Sequence, residues 1–235
     1  MNQMPEWTAE KENFVATTSD GKIVYVPQAP KQGVTVFGKL SKAWNVCSVR
    51  PVPDHSQFIE EAYVRGADLI SMFDQRDSDS FAFSLRHCLL ASSHSKVGIE
   101  TWLSVQTDDL DSEPVLSVSC RSADASYWET MSHDEVLGNS SAEAKVDSNS
   151  PAAILCQNSV ESGVWLIDQG DQQHCELLSS PAESEQRIEL FGHFMEKGVI
   201  RRARMRFHLV EGEATQAVIR ELYEAFLDSP LPLTA

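Results

Sequence analysis

The stretch Val199 to Val210, VIRRARMRFHLV, decides the fold class because polar and apolar residues alternate strictly along it. Its two faces are a polar one and an apolar one, formed by Arg202, Arg204, Arg206 and His208 and by Ala203, Met205, Phe207 and Leu209, respectively. A repeat of two residues is typical of a β-strand in a sheet with one buried side. We therefore expect the apolar face to pack on the core and the arginine face to meet solvent.

The same stretch stands apart from the rest of the chain in charge. The 235 residues include 19 Lys and Arg against 35 Asp and Glu, which gives a net charge of -16. Yet the ten positions from Lys197 to Arg206 hold five basic residues and no acid. One interpretation is an anion site, where guanidinium groups bind a carboxylate, sulfate or phosphate. The favoured alternative is a set of ion pairs with acids on neighbouring strands.

The composition predicts one globular domain over residues 1–235. A hydrophobic fraction of 42%, with five Trp and ten Phe, is enough for a packed core. The acidic charge disfavours nucleic acids and anionic membranes, which both select basic proteins. The N-terminus shows no signal-peptide pattern, and no stretch is apolar enough to span a bilayer. We expect a soluble, cytoplasmic protein.

The cysteines support the same localisation. They are odd in number and widely spaced, at Cys47, Cys88, Cys120, Cys156 and Cys175. Such spacing is typical of buried free thiols in a reducing compartment, and differs from the close pairs of disulfide frameworks and zinc sites. The seven histidines form no HExxH or HxH motif, and nucleotide-binding and nucleophile-elbow motifs are also missing. The sequence therefore predicts no metal and no cofactor.

Strand-like segments recur along most of the chain, and helical periodicity appears clearly only near its end. The segments are 23–27, 34–40, 43–49, 59–65, 68–74, 81–90, 98–107, 115–121, 152–158, 163–168, 175–178, 187–195 and 199–210. A parallel α/β fold would need helices between these strands. The predicted fold class is mainly β: an antiparallel β-sandwich, in either an ordinary form or one with large, strongly curved, supersandwich-like sheets, and one C-terminal α-helix.

Two tight hairpins are predicted at glycine turns. Gly66 separates the strands 59–65 and 68–74, and Lys197-Gly198 separates 187–195 from the arginine strand. A two-residue turn at Gly198 places six pairs face to face: Ile188 with Phe207, Leu190 with Met205, Gly192 with Ala203, Glu189 with Arg206, Phe191 with Arg204 and His193 with Arg202. In this register, Arg202 and His193 are the residues expected to hold a small anionic ligand.

The one clear helix is predicted over residues 213–228, EATQAVIRELYEAFLD, with Ala214, Val218, Leu222 and Ala225 as its apolar stripe and Ile219 and Phe226 flanking it. Pro230 ends it, because proline disfavours helical geometry in the residue before it. We expect this helix to lie across the sheet or over one end of the sandwich. The polar stretch 137–151, LGNSSAEAKVDSNSP, is predicted to be a mobile loop.

The segment 98–107 offers a second candidate site. Glu100, Trp102, Ser104 and Gln106 share its polar face. An indole ring flanked by a carboxylate, a hydroxyl and an amide can stack on a sugar and hydrogen-bond its hydroxyl groups. The alternative is that the C-terminal helix or a loop covers Trp102, because large aromatic side chains are usually mostly buried.

Acidic residues give two weaker hypotheses. The turn Thr107 to Glu113, TDDLDSE, contains oxygen ligands for calcium but lacks the glycine and the ligand spacing of an EF-hand, so a solvated turn is favoured. Glu60, Glu61 and Glu100 lie in strand-like segments and are candidates for an acid/base pair in an enzyme.

The favoured function is a soluble, non-catalytic module that binds a carbohydrate or another small polar ligand on a sheet face. The predicted ligand-binding residues are Glu100, Trp102, Gln106, His193 and Arg202. Two alternatives remain open: a sugar-metabolism enzyme, an isomerase or hydrolase with carboxylates in a concave sheet, and a structural or protein-interaction domain. A ligand binder or an enzyme should show a pocket with convergent polar groups, and an interaction domain a flat apolar patch.

Overall fold

Two antiparallel sheets of eight strands each form the described part of the computed structural model. The structure describes residues 5–18, 21–38, 43–54, 57–76, 81–91, 95–124, 127–138, 150–158, 160–178 and 184–230. The predicted mainly β sandwich with a C-terminal helix is confirmed. Most of the loop predicted at 137–151 lies outside the described residues.

The first sheet combines the N-terminal strands with three later ones. Its strands are β1 (Thr8–Glu10), β2 (Asn13–Thr18), β3 (Gly21–Tyr25), β4 (Val34–Gly38), β5 (Trp44–Val52), β10 (Val115–Ser122), β14 (Cys175–Leu177) and β15 (Glu185–Phe191). They are hydrogen-bonded in the order β1-β2-β3-β4-β5-β10-β15-β14. A short 3-10 helix, Pro30–Gln32, precedes β4.

The second sheet contains the arginine strand at its centre. Its strands are β6 (Ile59–Arg65), β7 (Asp68–Phe73), β8 (Ala82–Leu90), β9 (Val97–Gln106), β11 (Tyr127–Met131), β12 (Ala153–Gln157), β13 (Glu161–Ile167) and β16 (Ile200–Glu211). Their order is β11-β12-β13-β16-β9-β8-β7-β6. The hairpin predicted at Gly66 is confirmed, because Arg65 pairs with Asp68 and Gly66 has a positive φ of 62°.

The main core fills the space between the two sheets. The apolar face of β16 is buried there as predicted, with Ala203, Met205, Phe207 and Leu209 all enclosed. Every cysteine is a free thiol; four of them are buried, and Cys88 is half-buried. This outcome agrees with the spacing of the cysteines in the sequence.

Three helices complete the described fold: α1 (His133–Leu137), α2 (Gln169–Gln172) and α3 (Gln216–Leu227). The first turn of α3 begins later than predicted because Thr215 is its N-cap, with a side chain that accepts a hydrogen bond from the Val218 amide. The buried stripe is also rotated from the predicted one. It consists of Ile219, Leu222, Tyr223 and Phe226, while Ala225 is exposed.

The hairpin predicted at Lys197-Gly198 is wrong. β15 pairs with β10 and β14 in the first sheet, whereas β16 pairs with β9 and β13 in the second. Strand β15 ends where Phe191 and Gly192 take left-handed φ values of 74° and 64°, and the chain turns away from the first sheet there. The chain then crosses to the other sheet, so the predicted pairs of Glu189, Phe191 and His193 with the arginines do not form.

The predicted solvent exposure of the arginine face holds for Arg202 and is wrong for the other three residues. Arg204, Arg206 and His208 are buried, with only 3%, 8% and 3% of their surface exposed. The cover is α3, which lies across the outward side of this strand as predicted for the helix. A second, smaller core therefore forms between α3 and the outward sides of β11, β12, β13 and β16.

Candidate functional site

The outward face of the second sheet is divided into two halves. Over β12, β13 and β16, apolar side chains such as Leu155, Val164 and Val210 pack with Leu222 and Phe226 of α3. Over β7, β8 and β9, the outward side chains include Met72, Ser84, Ser104 and Gln106, which line a groove. We call these regions the covered half and the open half.

A buried ionic cluster marks the border between the halves. The carboxylate of Glu100 accepts hydrogen bonds from Arg204 Nη2 at 2.8 Å and Arg206 Nε at 2.7 Å, both on its Oε2 atom. Its other oxygen accepts the indole N–H of Trp102 at 2.8 Å. The favoured interpretation of the arginine row, ion pairing with an acid on a neighbouring strand, is confirmed for Arg204 and Arg206.

The end of α3 completes this cluster. Ser229 Oγ accepts hydrogen bonds from the Arg204 and Arg206 guanidinium groups and donates one to the Phe226 carbonyl. Both guanidinium groups also stack on the Phe226 ring, at 4.5 and 4.8 Å from its centroid. These contacts combine charge-assisted hydrogen bonds with cation–π attraction, and they join the helix to the strand.

The charges in the cluster control the protonation of Glu100. Burial raises the pKa of this carboxyl, but the hydrogen bonds from Arg204 and Trp102 and the positive charges of both arginines outweigh that effect and hold the pKa below its usual value. Glu100 is therefore ionised throughout the neutral range. Because both of its oxygens accept hydrogen bonds and the residue is buried, Glu100 is a structural ion-pair partner in this cluster.

The groove in the open half has a cavity volume of about 390 Å³. Two rows of outward residues form its floor, because the strand register aligns them: Met72, Ser84, Ser104 and Arg202 in one row, and Ala82, Gln106 and Ile200 in the other. Acidic side chains lie at the rim, namely Glu60, Asp74 and Asp108. The lining thus alternates apolar surface with hydroxyl, amide, guanidinium and carboxylate groups.

The structure brings some of the predicted site residues together and separates others. Gln106 and Arg202 both line the groove, whereas Glu100 belongs to the buried cluster. Trp102 is half-buried between them, two positions along β9 from Ser104, with the Arg204 guanidinium 5.2 Å from its ring centroid. His193 lies outside the groove, in a neighbouring pocket.

That neighbouring pocket, of about 330 Å³, lies where α2 meets the start of β16. Arg202 lines it together with His193, although the hairpin that predicted their proximity does not exist. Asp171 and His174 are further lining residues that the sequence did not single out as site residues. Burial raises the pKa of Asp171 to about 6, in spite of the hydrogen bond it accepts from the Arg204 amide.

The acidic turn after β9 is held by protein groups. Asp109 accepts a hydrogen bond from Gln75 Nε2 at 3.2 Å, and its amide donates to Thr107 Oγ1 at 3.0 Å. Within the described ranges, no group of three or more His, Cys, Asp or Glu side chains is placed to hold a metal ion. None of the helices in the described part of the chain is both long and apolar enough to cross a membrane.

Comparisons with known proteins inform the fold. No protein-family model matches the sequence, and no curated protein matches it. Among solved structures, the α-N-acetylgalactosaminidase NagBb from Bifidobacterium bifidum, in complex with GalNAc, matches 94% of this chain at 10% identity and a TM-score of 0.53. The chain shares its fold with part of that enzyme. It covers 38% of the enzyme's chain, little more than a third.

A second similar structure is a putative kojibiose phosphorylase from the human microbiome, with 11% identity and a TM-score of 0.48. The match covers 97% of this chain and 36% of that one. At these identities the likeness to NagBb concerns the fold alone, so arguments about function depend on the groove and its residues.

Proposed function

We propose that this protein is a non-catalytic module that binds a carbohydrate in the groove of the open half. The observation that carries the proposal is the mixed lining of this groove on a sheet face that α3 leaves uncovered. Met72, Ala82 and Ile200 offer apolar surface to the C–H faces of a sugar ring. Ser104 and Gln106 offer hydrogen-bonding groups to its hydroxyls.

The Trp102 side chain is held in a fixed orientation next to the proposed sugar site. Its indole N–H is bound to Glu100 and the Arg204 guanidinium lies over its ring, so the ring orientation is fixed. A ring held in this way can contribute apolar surface beside the groove at little entropic cost. Of the residues predicted from the sequence, Gln106 and Arg202 line the proposed sugar site, Trp102 lies two positions along the strand from its lining residue Ser104, and Glu100 holds the Trp102 ring.

Titration calorimetry on the purified chain tests the proposal, after a glycan array has selected ligands. N-acetylgalactosamine is the first ligand to measure, because it is the sugar in the NagBb complex. We expect Ser104→Trp to abolish binding by filling the groove, and Gln106→Ala to weaken it about tenfold through a lost hydrogen bond. The control is Gln28→Ala, an exposed glutamine that does not line the groove.

Two outcomes would contradict the proposal. One is a glycan array on which no sugar binds. The other is a bound sugar whose affinity is the same in Ser104→Trp as in the wild type, because an indole in the floor of the groove cannot coexist with a ligand there.

A second candidate function is supported by the carboxylates at the rim. Glu60, Asp74 and Asp108 line the groove, and glycoside hydrolysis uses a pair of such groups on opposite sides of the scissile bond. NMR spectra of each bound sugar, recorded over hours, distinguish the two functions. An unchanged sugar agrees with the binding module, whereas hydrolysis or isomerisation that Asp108→Asn abolishes would replace it with the enzyme.

A further inference from the structure

The pocket beside α2 collects basic side chains in a strongly acidic protein. Its lining includes Arg201, Arg202, His174 and His193, with Asp171 as its acid. Acidic residues outnumber Lys and Arg by 35 to 19 in the whole chain, so a local excess of positive charge is unusual. Such a local excess is typical of a binding site for an anionic ligand.

The arginines along β16 differ sharply in their partners. Arg204 has Glu100 and Asp168 beside it, at 2.8 and 3.5 Å. Arg201 and Arg202 are exposed, and among the described residues neither guanidinium is paired with an acid. Their fork of N–H donors is therefore available to an oxyanion.

The two imidazoles form a wall of the pocket. The rings of His174 and His193 stack with centroids 4.5 Å apart and planes inclined by 28°. His193 Nδ1 lies 2.9 Å from the Phe191 carbonyl, which can only accept, so this nitrogen carries a proton. Its Nε2 is shielded from solvent and has no partner among the described residues. In the imidazolium form Nε2 also carries a hydrogen, which a ligand oxygen can accept.

The local charges agree with such a ligand. The partial burial of the His174 ring lowers its pKa, and the neighbouring His193 and Arg201 side chains lower it further. An anion bound between these groups would reverse this repulsion and favour the imidazolium form. The exposed ring of His174 can change rotamer on a fast timescale.

The backbone also contributes to the pocket. β13 ends at Ile167, opposite Met205, so no strand pairs with that edge of β16 before Met205. Along this edge the Asp171 carboxylate accepts the Arg204 amide at 2.7 Å. Because amides in an antiparallel strand point to alternate sides, the Arg202 amide faces the same edge and adds a donor beside the pocket.

Most acidic residues near the two histidines lie on the side of the imidazole rings that faces away from the arginines. Glu176 and Glu189 face each other across β14 and β15, and they line a separate cleft that shares the imidazole wall. Cys175 lines that cleft as well, and its thiol is neutral because burial raises its pKa to about 12. On the arginine side, Asp171 is already bound to the Arg204 amide.

We propose that the pocket formed by Arg201, Arg202, His174 and His193 binds the phosphate group of a small molecule. Arg201 and Arg202 donate from their guanidinium groups, and His193 donates from Nε2. This site is separate from the proposed sugar groove and does not depend on it. Arg202 lines both, so Arg201 and His193 are the residues that test the phosphate site alone.

The test is a titration of the purified chain with inorganic phosphate, followed by the histidine Hε1 and Cε1 signals in two-dimensional NMR at pH 6.5 and constant ionic strength. Single His→Gln variants assign the signals of the two pocket histidines. We expect saturable shifts for His174 and His193, and no shift for His87 and His208, which are buried elsewhere. Arg201→Ala should weaken phosphate binding about tenfold, through the loss of a charge-assisted contact.

The matched control is Arg65→Ala, an exposed arginine at the β6–β7 turn that should leave phosphate affinity unchanged. Arg201→Lys, which keeps the charge but not the fork, should bind with intermediate affinity. Shifts that do not saturate, or an Arg201→Ala protein that binds phosphate as tightly as the wild type, would overturn the proposal. Failure of sugar binding in the groove would leave it unaffected.

Discussion

The covered half and the open half of the outward face belong to one sheet, yet they differ in what lies above them. In the covered half, Leu155, Val164 and Leu166 form a small core with α3. In the open half, Ser84, Ser104 and Gln106 occupy equivalent outward positions and line a groove. Where the outward side chains are apolar, a helix packs on them, because burial of apolar surface is favourable. Where polar and apolar side chains are mixed, the surface remains available to a ligand.

At the border between the halves, arginines on the same face of one strand differ in burial. Arg204 and Arg206 look from the sequence like part of an exposed anion site, but α3 and Glu100 enclose them. Arg202, two positions earlier on the same face, lies beyond this cover and lines both concavities. The position along one strand therefore decides whether an arginine is structural or available for binding.

The largest expected effect comes from removing the anchor of the helix. Phe226 is fully buried beneath Arg204 and Arg206, so Phe226→Ala leaves a cavity and removes two ring contacts. We expect a loss of about 4 kcal/mol in the free energy of unfolding, measured with urea. The control Phe37→Ala, at an exposed position on β4, should cost less than about 0.5 kcal/mol. Equal losses would mean that α3 does not stabilise the sheet.

The second effect tests the ionic border. Glu100→Gln keeps the shape of the side chain but leaves two buried guanidinium groups without their shared carboxylate, and we expect a loss of about 3 kcal/mol. Replacing Glu100, Arg204 and Arg206 together by methionine should cost less than the single change, since no buried guanidinium is then left without its carboxylate and Asp168, which loses Arg204, is partly exposed. Urea unfolding of both variants, with the exposed Glu129→Gln as reference, checks the order.

A smaller effect depends on pH and concerns Asp171. Burial raises its pKa from 3.8 to about 6, so the folded state holds a proton between these values that the unfolded state releases. This carboxyl therefore lowers stability as pH rises from about 4 to 6. Asp171→Asn, which can still accept the Arg204 amide, should gain on the wild type across that window and keep a constant advantage above it. A stability difference that is flat from pH 4 to 8 would contradict this assignment.

The smallest effect is expected in the open half. Ser84→Ala changes a half-buried hydroxyl in the groove and should alter the free energy of unfolding by less than about 0.5 kcal/mol. In contrast, it should reduce the affinity for a groove ligand measurably by calorimetry. A large loss of stability at Ser84 would remove the distinction between the two halves.

The sequence predicts the sandwich well because alternation reports directly on burial. The alternation assigns Met205 and Phe207 to the inward side, and Gly66 predicts a turn that the structure contains. The prediction of one clear helix omits α1, although its signal is local: Ser132 and Glu135 form a capping box, a pattern that can be recognised in a sequence.

Other features have no local signal. The left-handed φ of Phe191 is unusual for a bulky residue, and it sends β15 and β16 to different sheets. The burial of Arg204 depends on a helix that follows in the sequence and on Glu100 from another strand. The groove likewise takes Met72, Ser84 and Ser104 from three strands, so no short motif marks it.

The central claim is that the open half binds a ligand while the covered half is structural. Its most direct test follows the backbone amide shifts in NMR while a sugar selected on the glycan array is added. We expect saturable shifts in β7, β8 and β9 around Met72, Ser84 and Ser104, and unchanged amides along α3. Shifts centred on α3, or shifts on the outward side of the first sheet, would contradict it.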